Sequence, residues 1–486
     1  HPLDTSAVAA VLYNKAKTNF LNSNVHQTEY TIRIKIYKKE GLSYANYEVP
    51  FYTGYKNIND DSVKFSDCVT YNLVDGKIEL TKLKSEGKFN KNINSYWSNS
   101  TITMPNVKVG SIIEIKYFLR TENNLNLPKF YFQFEIPCNF SQYVTQIPDY
   151  YIYNVVLNGY LELNTDATAS KLSNSVKSTY TIYNAPALNA ERYVDNIDNY
   201  RSSLEHELKS TRYLNKYSNV AATWEGVAKI IYKHEAFGME LSKRDYFENE
   251  FKGKISEPTI DKKRMQEVLK YVQNRMNWNG KYGYYADKGV SIAFNSQTGN
   301  VSDINFILIT LLNYSGFKAN PVLLSTRDNG LALFPGRTRL NYVIAGVELE
   351  EEIYLLDATD KYSNIDVLPF RDINRVGRLV RSDETVSDVS LNPKSLSKLI
   401  TLINGELSTT GLIKGEFKSY ASDYFANSLR NNYNGLSSEM IIERIEKYFQ
   451  TIQITNFNLE YQNDVSKPIS ENYDFEHTNC VEIIGD

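Results

Sequence analysis

The chain has 486 residues, 42% of them hydrophobic and 23% charged, with a formal net charge of −3. At ~150 residues per domain, that length predicts about three domains, and the composition is ordinary for a globular chain. The near-neutral charge excludes a broad basic surface for nucleic acid or anionic lipid, and no apolar run approaches the ~20 residues of a membrane helix.

Residues 1–25 read as a short helix or arm. His1 is not an initiator Met and opens no signal-peptide pattern, which predicts a processed or truncated product whose targeting segment is gone. From about 26 to 190 the pattern has period two. Tyr30, Ile32, Ile34 and Ile36 alternate with Thr31, Arg33 and Lys35; Ile113, Ile115 and Tyr117 alternate with Glu114 and Lys116; Phe130, Phe132, Phe134 and Ile136 repeat the rule. Such alternation marks strands with one buried and one wet face, hence antiparallel sheets. Asp75-Gly76, between "TYNLV" and "KIELTKL", is a tight-hairpin signal. Residues 1–190 are therefore expected to form an antiparallel β-sandwich.

"AERYVDNIDNYRSS" reads as a linker, and the texture changes near residue 200. Met265, Val268, Leu269, Val272 and Met276 fall at helical spacing. A second helix is predicted over 303–314, with Asn300 or Ser302 as its cap, Asp303 at the positive end of its dipole and Gly316 as its stop. The strand-like runs "NPVLLST", "RLNYVIAGVEL" and "EEIYLLDAT" follow, so residues 200–395 read as an α+β domain. Residues 396–486 read as a smaller α+β unit, with β runs "KLITLING" and "IQITNFNLEYQ" around one helix, "SEMIIERIEKYF". The closing "VEIIGD" resembles entry into another β element, so this unit is expected to be incomplete.

Three cysteines, Cys68, Cys138 and Cys480, lie far apart and form no CxxC pair, which argues against a disulfide scaffold and a zinc site. Five histidines occur, at 1, 26, 206, 234 and 477, with no HExxH and no phosphate-cradling GxxxxGK[ST]. No metal or cofactor is expected.

The informative order is a helix start, "GNVSD", then the strand "LNYVIAGV", then a strand ending in Asp, "YLLDATD". It resembles the transglutaminase-like branch of the papain-like superfamily. That resemblance implies a Cys opening the central helix in a G-x-C-x-D context, a His on the next long strand and an Asp on the strand after. Here Val301 stands in the Cys place, Tyr342 in the His place and Asp357 in the Asp place. With "YNLVDGKIE", "MPNVKVGSIIEIKY", "NLPKFYFQFEIP", "WNGKYG" and "PVLLSTR", nearly the whole chain resembles bacterial cell-envelope proteins that join a β domain of unknown function to a transglutaminase-like domain. The resemblance implies a periplasmic or envelope-associated location.

The substitutions decide the chemistry. A thiolate at a helix N-terminus gains from the dipole and from a neighbouring imidazolium. The His moves the proton and the Asp orients the His. Val301 has no lone pair, and a phenol of pKa ~10 is a poor base near neutrality. No histidine lies between His234 and His477, and no cysteine between Cys138 and Cys480. Ser302 is either a nucleophile one place late or a cap; Asp303 either acts in the site or bonds to backbone. Tyr342 is expected to fill the space of the lost imidazole, and Asp357 either accepts from Tyr342 or caps a turn. Trp278, Tyr282, Tyr284 and Tyr285 either line a groove or belong to the core. Arg327 and Asp328 read as a surface pair.

Three functions remain. The first is a non-catalytic transglutaminase-like domain that binds a peptide, glycan or envelope partner in its old cleft. The second is an amidase, peptidase or transglutaminase with an unconventional nucleophile, which a carboxylate pair facing the cleft would favour. The third is a structural assembly protein of the envelope, which a filled cleft would favour.

Overall fold

The computed structural model describes residues 1–53, 61–92, 97–170, 174–213, 216–219, 223–254, 260–478 and 481. The chain forms two compact units, His1–Ala222 and Thr223–Asp486. Among the described residues no helix is long and apolar enough to cross a membrane.

The first unit is built on an eight-stranded sheet, in the order Asn164–Ser170, Ser175–Ala185, Cys138–Pro148, Ala9–Phe20, His26–Ile36, Ile112–Thr121, Ser62–Val74, Lys77–Lys82. Ala9–Phe20 overturns the expected N-terminal helix or arm: it is an interior strand. It also breaks the all-antiparallel expectation, because it runs parallel to Cys138–Pro148. Its inward positions include Asn14, Ala16 and Thr18, so polar residues mask the period. They are satisfied inside: Asn14 Nδ2 donates to Ser141 Oγ at 3.1 Å, and the Thr18 hydroxyl lies 2.7 Å from that of Thr28 and 2.8 Å from that of Tyr143.

Ile32, Ile34, Ile36, Ile113, Ile115 and Tyr117 are buried as the alternation requires, together with Val49 and Ile102 of a three-stranded sheet and Phe130 and Leu204 of another. Glu114, expected on the wet face, is buried under Arg33 and Tyr13, whose hydroxyl donates to it at 2.5 Å. Asp75 and Gly76, with φ of 50° and 74°, make the expected hairpin turn. The Phe130 strand ends at Tyr131, so Phe132 and Ile136 are buried beyond it rather than within it. Ser203–Tyr213 pairs with Tyr151–Asn158, so strands of this unit continue past the linker read at residue 190.

In the second unit Lys262–Arg275 is a helix whose first turn is capped by Asp261, and it buries Met265, Val268, Leu269 and Val272. The central helix is Val301–Tyr314, and every residue from Val301 to Leu312 is buried. A helix apolar all round belongs inside. It packs on an antiparallel sheet ordered Glu352–Leu356, Tyr342–Leu349, Lys318–Leu324, Val376–Val380, Val386–Ser390.

Farther on, a four-stranded sheet runs Leu399–Leu407, Ile413–Ala421, Ile469–His477, Ile452–Glu460. It carries two helices, Asp423–Tyr433 and Ser438–Phe449, where the sequence reading placed one. The missed helix is rich in Asn and Tyr, both weak helix formers, and its buried face includes Arg430, which donates to the carbonyls of Tyr461, Asp464 and Lys467. Cys480 and nearly all of "VEIIGD" lie outside the described residues.

Candidate functional site

The site is organised by the start of the central helix. A short parallel bridge, Asn277 to Thr298 and Trp278 to Gly299, brings the Trp278 segment alongside. Asn300 Oδ1 accepts from the Asp303 amide at 2.8 Å, and Asp303 Oδ2 accepts from the Asn300 amide at 3.1 Å: a capping box. Asp303 also accepts from the Gly289 amide at 3.1 Å, and Ser302 Oγ donates to the Gly283 carbonyl at 2.8 Å. Burial pushes the Asp303 carboxyl above its ordinary range, against the backbone N–H groups that hold it down. Ser302 and Asp303 thus pin the 283–289 loop to the helix. Gly299 is demanded by contact, since a Cβ there would lie 2.5 Å from that of Asp303.

Val301 is fully buried, its amide donating to the Lys281 carbonyl at 3.3 Å. One turn later, Asn305 Nδ2 donates to the Val343 carbonyl at 3.0 Å and to Asp357 Oδ1 at 2.9 Å, and Asn305 Oδ1 accepts from the Ala358 amide at 3.0 Å. Residues four apart share a helix face, so the face carrying Val301 is the one laid on Tyr342–Leu349 and on the end of Glu352–Leu356.

There Tyr342 and Asp357 meet directly. The Tyr342 hydroxyl donates to Asp357 Oδ2 at 2.8 Å, lies 2.9 Å from Thr359 Oγ1, and accepts from Arg371 Nε at 2.9 Å. Asp357 also accepts from the Thr359 amide at 2.9 Å and the Thr359 hydroxyl at 2.7 Å. With Asn305 and Tyr342, the carboxylate therefore has four donors. Burial first, then the Asp357 charge, pushes the Tyr342 phenol well above its ordinary range, so it stays protonated.

Arg371 was not singled out in the sequence. Its Nη2 donates to Thr359 Oγ1 at 2.6 Å and stands 3.5 Å from Asp357 Oδ2, while its guanidinium lies 4.6 Å from the Trp278 ring centre. Burial disfavours its charge, but Asp357, Tyr342 and Asp372 together raise its pKa further. Asp372 is fully buried beside Asp357, and neither of its oxygens accepts a hydrogen bond among the described residues. Burial and the Asp357 charge push its carboxyl well above the ordinary range.

The aromatic residues divide. Trp278 stacks on Tyr282 at 5.6 Å, and Tyr282 stands edge-on to Tyr342 at 5.4 Å. Tyr284 turns away: its hydroxyl donates to the Arg337 carbonyl at 3.1 Å and its ring packs on Tyr285, which in turn packs on His234. Tyr282, not Tyr284, is the partner of Trp278. The Arg327 guanidinium lies 4.2 Å from the Phe370 ring centre.

The chemical reading is direct. Val301 carries no nucleophile, the Ser302 hydroxyl beside it is fully buried and donates to the Gly283 carbonyl, and the Tyr342 phenol is protonated and engaged by three partners. The carboxyl pair beside the Tyr342 hydroxyl, Asp357 with Asp372, is fully buried. Val301 and Tyr342 are themselves 0% exposed, so they cannot floor an open groove. A cavity of about 210 Å³ lies elsewhere, beside Arg430, Tyr362 and Lys467. Neither described cysteine offers a thiolate: burial raises Cys68, and raises Cys138 to about 12.

No protein-family model and no curated protein matches the chain. Among solved structures, it is similar to the crystal structure of "a putative protease" from Parabacteroides distasonis, with a TM-score of 0.58 and 9% identity, over 97% of this chain and 94% of that one. At that identity the likeness is one of fold, across nearly the full length of both chains.

Proposed function

We propose that this chain is a non-catalytic, transglutaminase-like protein of the cell envelope, which binds a peptide, glycan or partner protein on the surface above its degenerate triad. The observation that supports this most is the state of Tyr342: its hydroxyl is bound by Asp357, Thr359 and Arg371, in the place where a base would have to move a proton. Val301 offers nothing for acyl attack, the neighbouring Ser302 hydroxyl is buried and committed to the Gly283 carbonyl, and the Tyr342 phenol is a poor base. What remains accessible is Tyr282, 39% exposed, with Trp278 and the Arg371 guanidinium beside it. Two aromatic faces next to a cation suit a sugar ring or an extended peptide.

The rival structural role draws on one observation, the complete burial of Val301 and Tyr342, which leaves a shelf rather than a cleft. Titration with cell-wall muropeptides and peptide pools, read by tryptophan fluorescence, separates the two. Saturable binding that Tyr282→Ala removes supports the shelf. Binding indifferent to Tyr282→Ala, or none, transfers the weight to a structural role. Peptide-bond hydrolysis blocked by thiol alkylation would overturn both.

A further inference from the structure

Among the described residues the strand Leu399–Leu407 ends its sheet, pairing only with Ile413–Ala421, and all nine of its residues are exposed. Leu399, Ile400, Leu402, Ile403 and Leu407 are each 50% to 62% exposed. Two edges of the first unit differ: Lys77–Lys82 carries Lys77, Glu79 and Lys82, and Asn164–Ser170 has no apolar residue larger than alanine. Charges on an edge deter strand addition, and "LITLI" has none.

The backbone is set for a partner. The Lys398 carbonyl accepts from the Ser422 amide at 2.9 Å, and the Ser408 amide donates to the Leu412 carbonyl at 2.8 Å. In an antiparallel ladder these fix the parity: even-numbered residues turn their N–H and C=O inward. Leu399, Thr401, Ile403, Gly405 and Leu407 therefore aim theirs outward, where no strand pairs with them among the described residues.

The sequence also states which strand fits. "LITLI" keeps its pattern when reversed: two aliphatics, a threonine, two aliphatics. Antiparallel pairing of two copies about Thr401 sets Thr401 against Thr401, Leu399 against Ile403 and Ile400 against Leu402, so aliphatic meets aliphatic on both faces. Lys398 then lies diagonal to Glu406 of the other copy, twice by symmetry, which is favourable. The odd parity makes Thr401 a hydrogen-bonded pair, as this register requires.

We infer that the chain self-associates through this edge, two copies joining their four-stranded sheets into one eight-stranded sheet with its twofold axis at Thr401. The contact is isologous. One strand pair buries less than the roughly 1,200 Å² of stable complexes, so the dimer is concentration-dependent.

The test combines light scattering of the whole chain with cysteine cross-linking. A mass rising from 55.9 kDa toward twice that value with concentration, and remaining monomeric for Leu402→Lys over the same range, is the expected result. Ile400→Cys with Leu402→Cys places thiols across a non-hydrogen-bonded pair and is expected to give a covalent dimer under mild oxidation. Ile400→Cys with Glu406→Cys, matched to an axis at residue 403, is expected to give none. A monomer at every concentration, a dimer indifferent to Leu402→Lys, or cross-linking only through the second pair overturns the inference.

Discussion

Removing one oxygen, by Tyr342→Phe, tests whether the centre of the site is a closed polar network. The ring keeps its volume and its edge contact with Tyr282, so no cavity forms. Lost are the donor to Asp357 Oδ2 and the acceptor for Arg371 Nε. A hydrogen bond to a charged group contributes about 1.5–3 kcal/mol. Asp357 retains Asn305 and both donors of Thr359, and Arg371, 19% exposed, regains part of its loss from water. The net cost is therefore about 2 kcal/mol at neutral pH. For a unit of this size that lowers the melting temperature by about 4–8 °C. Urea unfolding followed by tryptophan fluorescence is the assay, with an unchanged slope showing that only stability moved. Combined with Asp357→Asn, the two changes are expected to fall short of additivity by about 1 kcal/mol or more, as coupled partners do. A Tyr342→Phe variant as stable as the parent, or strict additivity with Asp357→Asn, would refute the network.

Two further predictions concern pH. Asp372 is shifted upward in the folded chain, whereas the unfolded carboxyl ionises above its ordinary 3.8; its contribution is whole below that value and is lost as pH rises. Asp372→Asn is thus expected to gain stability relative to the parent as pH rises above 3.8 in paired melting curves, and a difference that does not change with pH would contradict the assignment. His206 has the opposite sign: packed among Tyr143, Tyr153 and Tyr180, it is lowered by burial from 6.5 to about 4. Its unfolded form takes up a proton in that window, so stability is lost as pH falls through it. His206→Phe is expected to flatten the acid destabilisation of the first unit, His26 supplying what remains; an unchanged acid profile would show that His206 is not the group.

Much of the frame is legible where residue pattern and burial coincide. The isoleucine alternation of His26–Ile36, the Asp75-Gly76 turn and the apolar run after "GNVSD" each state their own local structure. Legibility failed where inward positions are polar. Asn14 and Thr18 find partners only after distant strands assemble, so Ala9–Phe20 looks helical when read alone. Arg430 hides the Asp423–Tyr433 helix in the same way. In the site, the order of Val301, Tyr342 and Asp357 is readable because Val301 and Tyr342 each open a regular element and Asp357 directly follows one. Arg371 belongs to an irregular segment, "LPFRDIN", and reaches Tyr342 only through tertiary folding. "KYGYY" has no period to say which tyrosine faces inward, so the choice of Tyr282 over Tyr284 had to come from coordinates.

The proposed function requires that a catalytic frame persists without its chemistry. It is tested most directly by restoring both groups, Val301→Cys with Tyr342→His, and measuring the thiol pKa from the pH dependence of alkylation. Asp357 is placed to orient the new imidazole, and the helix start favours the thiolate. The expected result is an apparent pKa clearly below that of Val301→Cys alone, where burial at a fully enclosed position holds the thiol at or above its ordinary ~8.5. The same value in both variants would contradict the account, because it would mean that Val301 and Tyr342 no longer stand in the relation of a nucleophile and its base.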